Sequence, residues 1–433
     1  GIVSTDGKTL YRHAASGLVA HVYDSASLAK LPGHMAIGHN RYATSGDSRE
    51  LYNQPIWNKT RTFAFAHNGN LPDTTKLAEF LEEQGIATGH LNDSHMMSEA
   101  IDHFVQQGQS LRDAIVSAYP HFHGVFSAVA MDKDNLVAFR DECGIRPLSI
   151  GELGDHGYVV ASETCAMDTV NAKFLRDVEP GEMVVINKDG LSSQQIVKGQ
   201  QKLDIFELIY FARPDSMLLG QRVNSVRERL GHELLKECPI EADVVIPVPD
   251  SSIPAGIGYA HASGIPFAMG LIKNRYIHRT FIQLTAEMRK RAVKMKLNPV
   301  IEDIVGKRVV LVDDSIVRGT TLSQLVPMMR DAGAKEIHVL ISCPPVEYPD
   351  FYGINTPDQD DLISSRMSAE QIREFIGADS LYFLSKDGMV RATHLPESVF
   401  SMSCFNGVYP LSIGKQSKIV KEVSVNKPVE AAV

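Results

Sequence analysis

Apolar positions change their spacing partway along the chain. Up to about residue 200, short β-rich runs such as TFAFAHNG and YVVASE alternate with Gly and Asn turns, and helical spacing appears at about 74–84 and 94–118. This first part predicts a mixed α+β unit. From about Leu203 onward, apolar strands alternate with helices: VVIPVPD and then a helix, VVLVDDS followed by TLSQLVPMMRDAGA, and then EIHVLISCPP. Such alternation predicts an α/β unit built on a parallel sheet with crossover helices. The polar, turn-like VKGQQK puts the boundary near Gln200, giving domains 1–200 and 201–433. Sequence repeats are absent, and the tail 421–433 reads as loosely ordered.

Composition narrows the class. With 433 residues the chain exceeds what one core usually organises. Hydrophobic residues at 44% and charged ones at 22% are ordinary for a soluble cytosolic protein, and no run is apolar enough for a membrane span. A formal charge of −9 argues against a nucleic-acid partner, because phosphate backbones are held by surplus Lys and Arg. The five cysteines, Cys143, Cys165, Cys238, Cys343 and Cys404, include no CxxC pair and read as reduced thiols. The chain opens on Gly1 without a basic-then-apolar leader, so a missing upstream segment is expected.

The strongest chemical signal lies at 309–321, VVLVDDSIVRGTT. Four apolar residues fit a central strand, Asp313 and Asp314 end it, 315–319 turn, and Thr320 and Thr321 open a helix. In open α/β sheets, ligands sit beyond the carboxyl ends of the strands, and a helix start offers N–H groups to a phosphate. Ser315, Arg318, Gly319, Thr320 and Thr321 would hold the phosphate, with the carboxylates on sugar hydroxyls or on Mg²⁺. A bare acidic pair could be only a helix-capping turn, but DDSIVRGTT after a buried strand resembles the signature of the type I phosphoribosyltransferases. VVIPVPD with Ser251 suits a second wall, Ser251 being a further oxygen ligand for the metal. Between Lys273 and Lys296 lie eight Lys or Arg against one acid, Glu287. With Lys273 and Arg275 at its start, this stretch reads as a lid over pyrophosphate rather than a solvated face.

With IYFARPDS, KNRYIHRTFI and FNGVYP, these strings closely resemble the glutamine phosphoribosylpyrophosphate amidotransferase family over nearly the whole chain. GHNRYATSG, FAHNGNL, NDS and CGIRPL are similar to the glutaminase domain of class II amidotransferases, which are N-terminal-nucleophile hydrolases. The resemblance implies an oxyanion hole at Asn68 and Gly69, and glutamine binding by Arg41, Thr44 and Asp93. Arg41 would meet the carboxylate and Asp93 the α-amino group. Blander readings exist: Asn-Gly is a common hairpin turn and Asp93 could be a plain helix cap. The implied reaction moves ammonia from glutamine to phosphoribosylpyrophosphate, giving 5-phosphoribosylamine, glutamate and pyrophosphate at the start of purine synthesis. A homo-oligomer and inhibition by purine nucleotides are implied as well.

Three departures from the family pattern qualify this. The family's nucleophile is an N-terminal cysteine, and Gly1 to Val3 aligns instead with an internal strand, so the expectation for the chain as written is transfer from free ammonia. Where some members bind an iron–sulfur cluster, this chain has Asp204, Asp350, Ser401 and Cys404, and one thiolate cannot hold a cubane, so none is expected. Leu284 stands where the family's lid usually has proline. The rival class is a non-catalytic regulator that senses phosphoribosylpyrophosphate, and such a protein should carry a basic DNA-binding domain in front.

Overall fold

A computed structural model describes residues 1–41, 52–274, 297–353, 356 and 358–423. In the N-terminal half the β-rich runs pair antiparallel. Their central sheet has the spatial order Gly190–Gln195, Glu182–Asn187, Leu136–Arg140, Val125–Met131, Ala64–Asn70 and Ile56–Trp57. Side chains alternate between its two faces, as a strand's period of two requires. Phe65, Ala128 and Phe139 point to one face and pack with Leu77, Leu81, Met97, Ile101 and Ile115 from helices. Ala64 and Met131 point to the other and meet Val3, Leu10 and Ile37 of a small sheet formed by Leu10–His13, Ile2–Thr5 and Met35–Gly38.

The helical spacing at 94–118 forms two helices, Asp93–Gln106 and Leu111–Ala118, rather than one. Gly108 takes a positive φ between them, and Ser110 caps the second by accepting the Asp113 N–H. Two turns of matching apolar period concealed a break that the local GQS sequence makes.

The C-terminal half contains a four-stranded, wholly parallel sheet in the order Val244–Pro247, Arg308–Asp313, Glu336–Ile341 and Ser380–Phe383. Val309 to Val312 are completely buried, as expected of a central parallel strand covered on both faces. Helix Leu322–Asp331 lays Leu322, Leu325, Val326 and Met329 on this sheet, at the i, i+3, i+4, i+7 spacing of one helix face. A separate core runs from Leu203 to Phe405. The halves meet where Val125, Cys143 and Ile145 pack against Phe351, Tyr352 and Ile413, and the Asn70 side-chain amide donates to the Phe351 carbonyl at 2.7 Å.

Candidate active sites

The strand Arg308–Asp313 delivers Asp313 and Asp314 to the carboxyl edge of the parallel sheet, both nearly buried. Ser252 Oγ donates to Asp313 at 3.0 Å, Ser315 Oγ donates to Asp314 at 2.8 Å, and Ser251 Oγ also donates to Asp314. Parallel pairing of Val244–Pro247 with 309–312 thus brings VVIPVPD and its following serines alongside the acidic pair. Burial and the neighbouring Asp314 push the Asp313 carboxyl well above its usual range. Burial likewise raises Asp314, against the opposing pull of Ser251, Ser315 and Arg227. Two adjacent carboxylates in low dielectric ionise together only when a cation compensates them. That donor set fits Mg²⁺, which takes one or two carboxylates and completes its shell with water and phosphate oxygens.

Gly319 turns the chain at φ +73°, and a Cβ there would meet Ile363 Cδ1 at 2.7 Å. The helix begins at Leu322, directly after Thr320 and Thr321. A cavity of about 830 Å³ opens above the loop, lined by the whole of 313–322 and by Asp250, Ser251 and Lys273. Lys273 Nζ lies 2.6 Å from Asp250. Arg318 is half-exposed at the cavity's edge and is paired with Asp361 at 2.7 Å, so its charge is already partly spent on a surface contact. Arg275, Leu284 and the remainder of the expected lid fall outside the described residues, as do Thr44 and the tail from 424. Three aromatic residues, Phe206, Tyr210 and Phe211, wall the cavity, and sequence reasoning did not single out any of them. IYFARPDS was noted only for its resemblance, since nothing local shows which side of the sheet it will cover.

In the N-terminal half, Asn68 and Gly69 lie inside the strand Ala64–Asn70, opposite Ser127 and Phe126, and so do not form a hairpin turn. Gly69 has φ +150°, and a Cβ would stand 2.0 Å from the Val125 carbonyl oxygen, so no other residue fits there. The Asn68 side chain is exposed. Asp93 is the first residue of its helix, while Asn92 is the cap that accepts the His95 N–H. Asp93 Oδ2 instead accepts the Leu71 N–H at 3.2 Å, which brings the carboxylate beside the end of the Asn68-bearing strand. His39 Nε2 contacts the His67 carbonyl at 3.2 Å and ties the segment that carries Arg41 to that same strand. Arg41 is exposed, with its guanidinium over the Tyr52 ring at 5.6 Å. Behind the strand, Gln54 accepts the His67 N–H at 2.7 Å and donates to Ser94 at 3.2 Å, while the His67 ring reaches Ser94 at 3.0 Å. This polar scaffold was missed because its members are 13 to 40 residues apart.

Asp204 and Ser401 face each other across a parallel pair, and Cys404 and Asp350 are buried with them. Arg146 occupies the same region, 3.4 Å from Asp204 and 2.8 Å from Glu207.

One half thus gathers Asn68, Gly69 and Asp93 at a strand end, and the other opens a cavity over an acidic pair and a strand–turn–helix loop, the two-part arrangement of a glutamine-dependent phosphoribosyl-transferring enzyme. Residues 39–169 match the glutamine amidotransferase domain and 220–351 the phosphoribosyl transferase domain. The chain belongs to the amidophosphoribosyltransferase family. It is 46% identical over 431 residues to the amidophosphoribosyltransferase of Synechococcus elongatus, covering 98% of this chain and 87% of that one. It is 44% identical over 440 residues to the Bacillus subtilis enzyme, covering 99% and 91%. Among solved structures, the allosteric regulatory enzyme of purine biosynthesis superposes with TM-score 0.89 at 43% identity, covering 98% of this chain and 93% of that one. The B. subtilis glutamine phosphoribosylpyrophosphate amidotransferase complexed with ADP and GMP gives 0.88 at 44%, covering 96% and 91%. Among the described residues no helix is long and apolar enough to cross a membrane.

Proposed function

We propose that the chain transfers ammonia from glutamine to phosphoribosylpyrophosphate, releasing glutamate and pyrophosphate and forming 5-phosphoribosylamine, the first step of purine synthesis. The observation that carries this is the buried Asp313–Asp314 pair at the carboxyl edge of a parallel sheet, joined to a glutaminase-like half. Asp313 and Asp314, with Ser251 beside them, would hold Mg²⁺, which when bound would supply charge neutralisation for the pyrophosphate leaving group. Gly319, Thr320 and Thr321 take the 5-phosphate, Ser315 supports the carboxylates, and Lys273 with Arg275 and Arg318 surrounds the pyrophosphate. The ammonia lone pair attacks the sugar's first carbon, the bond to pyrophosphate oxygen breaks with its electrons, and a proton passes to solvent. Positioning and electrostatics supply most of the rate enhancement.

At the other site, Asn68 and the Gly69 N–H form the oxyanion hole, while Arg41, Thr44 and Asp93 bind glutamine. The division falls near residue 200, between the last residues of one core and Leu203 of the other. With a carboxylate-rich pocket where some relatives place cysteines, the chain carries no iron–sulfur cluster. Purine nucleotides act as inhibitors on a cytoplasmic homo-oligomer.

Parallel assays of pyrophosphate release with ammonium and with glutamine test the assignment. Asp313→Asn should lower both rates by about 100-fold or more, as expected for lost metal stabilisation of a leaving group. With the family's N-terminal cysteine in place ahead of Gly1, Asn68→Ala should lower only the glutamine-driven rate, by about 100- to 1,000-fold. An Asp313→Asn variant as fast as the wild type with ammonium would overturn the proposal.

A further inference from the structure

The aromatic wall of the cavity belongs to a segment with an unusual backbone. Residues Glu207–Phe211 form a π-helical turn closed by the Ala212 N–H donating to the Glu207 carbonyl five residues back, at 3.1 Å. Such turns are rarer and less stable than α-helical ones, and they persist where outside contacts hold them. One holder comes from the same half: Arg227, whose guanidinium donates to the Leu208 and Ala212 carbonyls, each at 2.9 Å. The other holders come from the N-terminal half.

Arg146, on the CGIRPL turn, is 5% exposed. It donates to Glu207 at 2.8 Å and to the Tyr352 carbonyl through two nitrogens at 3.3 and 3.2 Å, and it lies over the Phe211 ring at 5.3 Å. Glu163 accepts from the Arg213 N–H and from Ser216 Oγ, each at 2.8 Å. Beside it, Thr164 Oγ1 accepts the Met217 N–H at 2.8 Å. The segment is therefore gripped on both sides of Tyr210 and Phe211 by the half that does not contain the cavity.

We propose that Arg146 and Glu163 are positioning residues for the transferase reaction, through which the glutaminase-like half sets the affinity of the cavity for phosphoribosylpyrophosphate. The inference rests on assigning that substrate to the cavity. Without Arg146 the buried Glu207 and Asp204 carboxylates lose their compensating charge, and the turn that carries Tyr210 and Phe211 has to relax to reach water. Without Glu163 the far end of the segment loses both of its tethers to that carboxylate. Neither change touches Asp313, Asp314 or the phosphate loop.

The test uses ammonium as nitrogen donor, so that glutamine hydrolysis plays no part. In the full chain, Arg146→Lys and Glu163→Ala should each raise KM for phosphoribosylpyrophosphate about tenfold, the equivalent of one or two lost charge-assisted hydrogen bonds, with kcat within about twofold. Glu163→Gln, which keeps an acceptor, should restore KM most of the way. Should Arg146→Lys fold poorly, the half-exposed Glu163 pair carries the test. If KM for these variants stays at the wild-type value while only the melting temperature or active fraction falls, the residues are merely structural and the inference is overturned. A wild-type chain that releases no pyrophosphate with ammonium would instead overturn the functional assignment, and this inference with it.

Discussion

At the scale of single residues, the most informative groups are polar ones removed from water. Asp141 is buried, and it accepts the N–H groups of Phe126 at 3.1 Å and Cys143 at 2.9 Å, so its carboxylate shapes the turn that presents Arg146. Burial raises its pKa to about 6, and Arg140 and the backbone donors only partly oppose this. The folded state therefore holds this proton more tightly than the unfolded state, whose carboxyl titrates near 3.8. Its contribution to stability is full below that value and is lost as pH rises through about 6. Urea unfolding of the wild type and of Asp141→Asn should show the wild-type advantage shrinking by about 1 kcal/mol between pH 5 and pH 7, and staying flat above. An advantage that grew over that interval would mean the carboxylate is stabilised in its charged form. The Asp313–Asp314 pair was legible in the sequence because strand, acids, glycine turn and helix are consecutive. Arg146 and Glu207 were not, since the ion pair they form spans 61 residues.

Among elements, the crossing of helices Val223–Glu237 and Ile253–Ser263 has the greatest consequence for the site. A Cβ on Gly231 would stand 2.0 Å from the Ala255 carbonyl oxygen, so backbone meets backbone at the crossing. The second helix follows directly on Ser251 and Ser252, whose hydroxyls bond Asp314 and Asp313. Forcing the helices apart should therefore be felt in the pocket. Gly231→Ala is expected to cost about 1–3 kcal/mol in urea unfolding and to weaken phosphoribosylpyrophosphate binding, measured by calorimetric titration. Wild-type affinity in a destabilised variant would show that the serines hold their place independently of the helix. The glycines in VRERLGHELL and PAGIGYA gave no sign of this in sequence, where a glycine inside a helix registers only as a weak helix former.

For the molecule as a whole, the contact between halves is built on a few buried groups. Tyr352 is 1% exposed, its hydroxyl bonds the backbone of Leu411, and its carbonyl receives Arg146 from the other half. Tyr352→Ala should lower stability by about 3–5 kcal/mol, as for other truncated aromatic residues in cores. Amide exchange should rise in both halves, near Cys143 to Arg146 as well as near Phe351. Exchange raised in the C-terminal half alone would show that the two halves are stabilised independently.

The sequence by itself determined the order of the two units, the parallel alternation of the second and the strand, acidic turn and helix at 309–322, because each depends on periodicity and turn chemistry within some twenty residues. It also led to a single helix at 94–118, where a local glycine break decides otherwise, and it left Asn68–Gly69 open between a turn and a ligand site. Tertiary structure settled the geometry of that second case by supplying a partner strand, Val125–Met131, that no local pattern announces. The polar scaffold around His67, the serines beneath the acidic pair and the grip of Arg146 and Glu163 on the cavity wall share one cause. Each joins groups far apart in sequence whose hydrogen bonds exist only once burial has removed water as the competing partner.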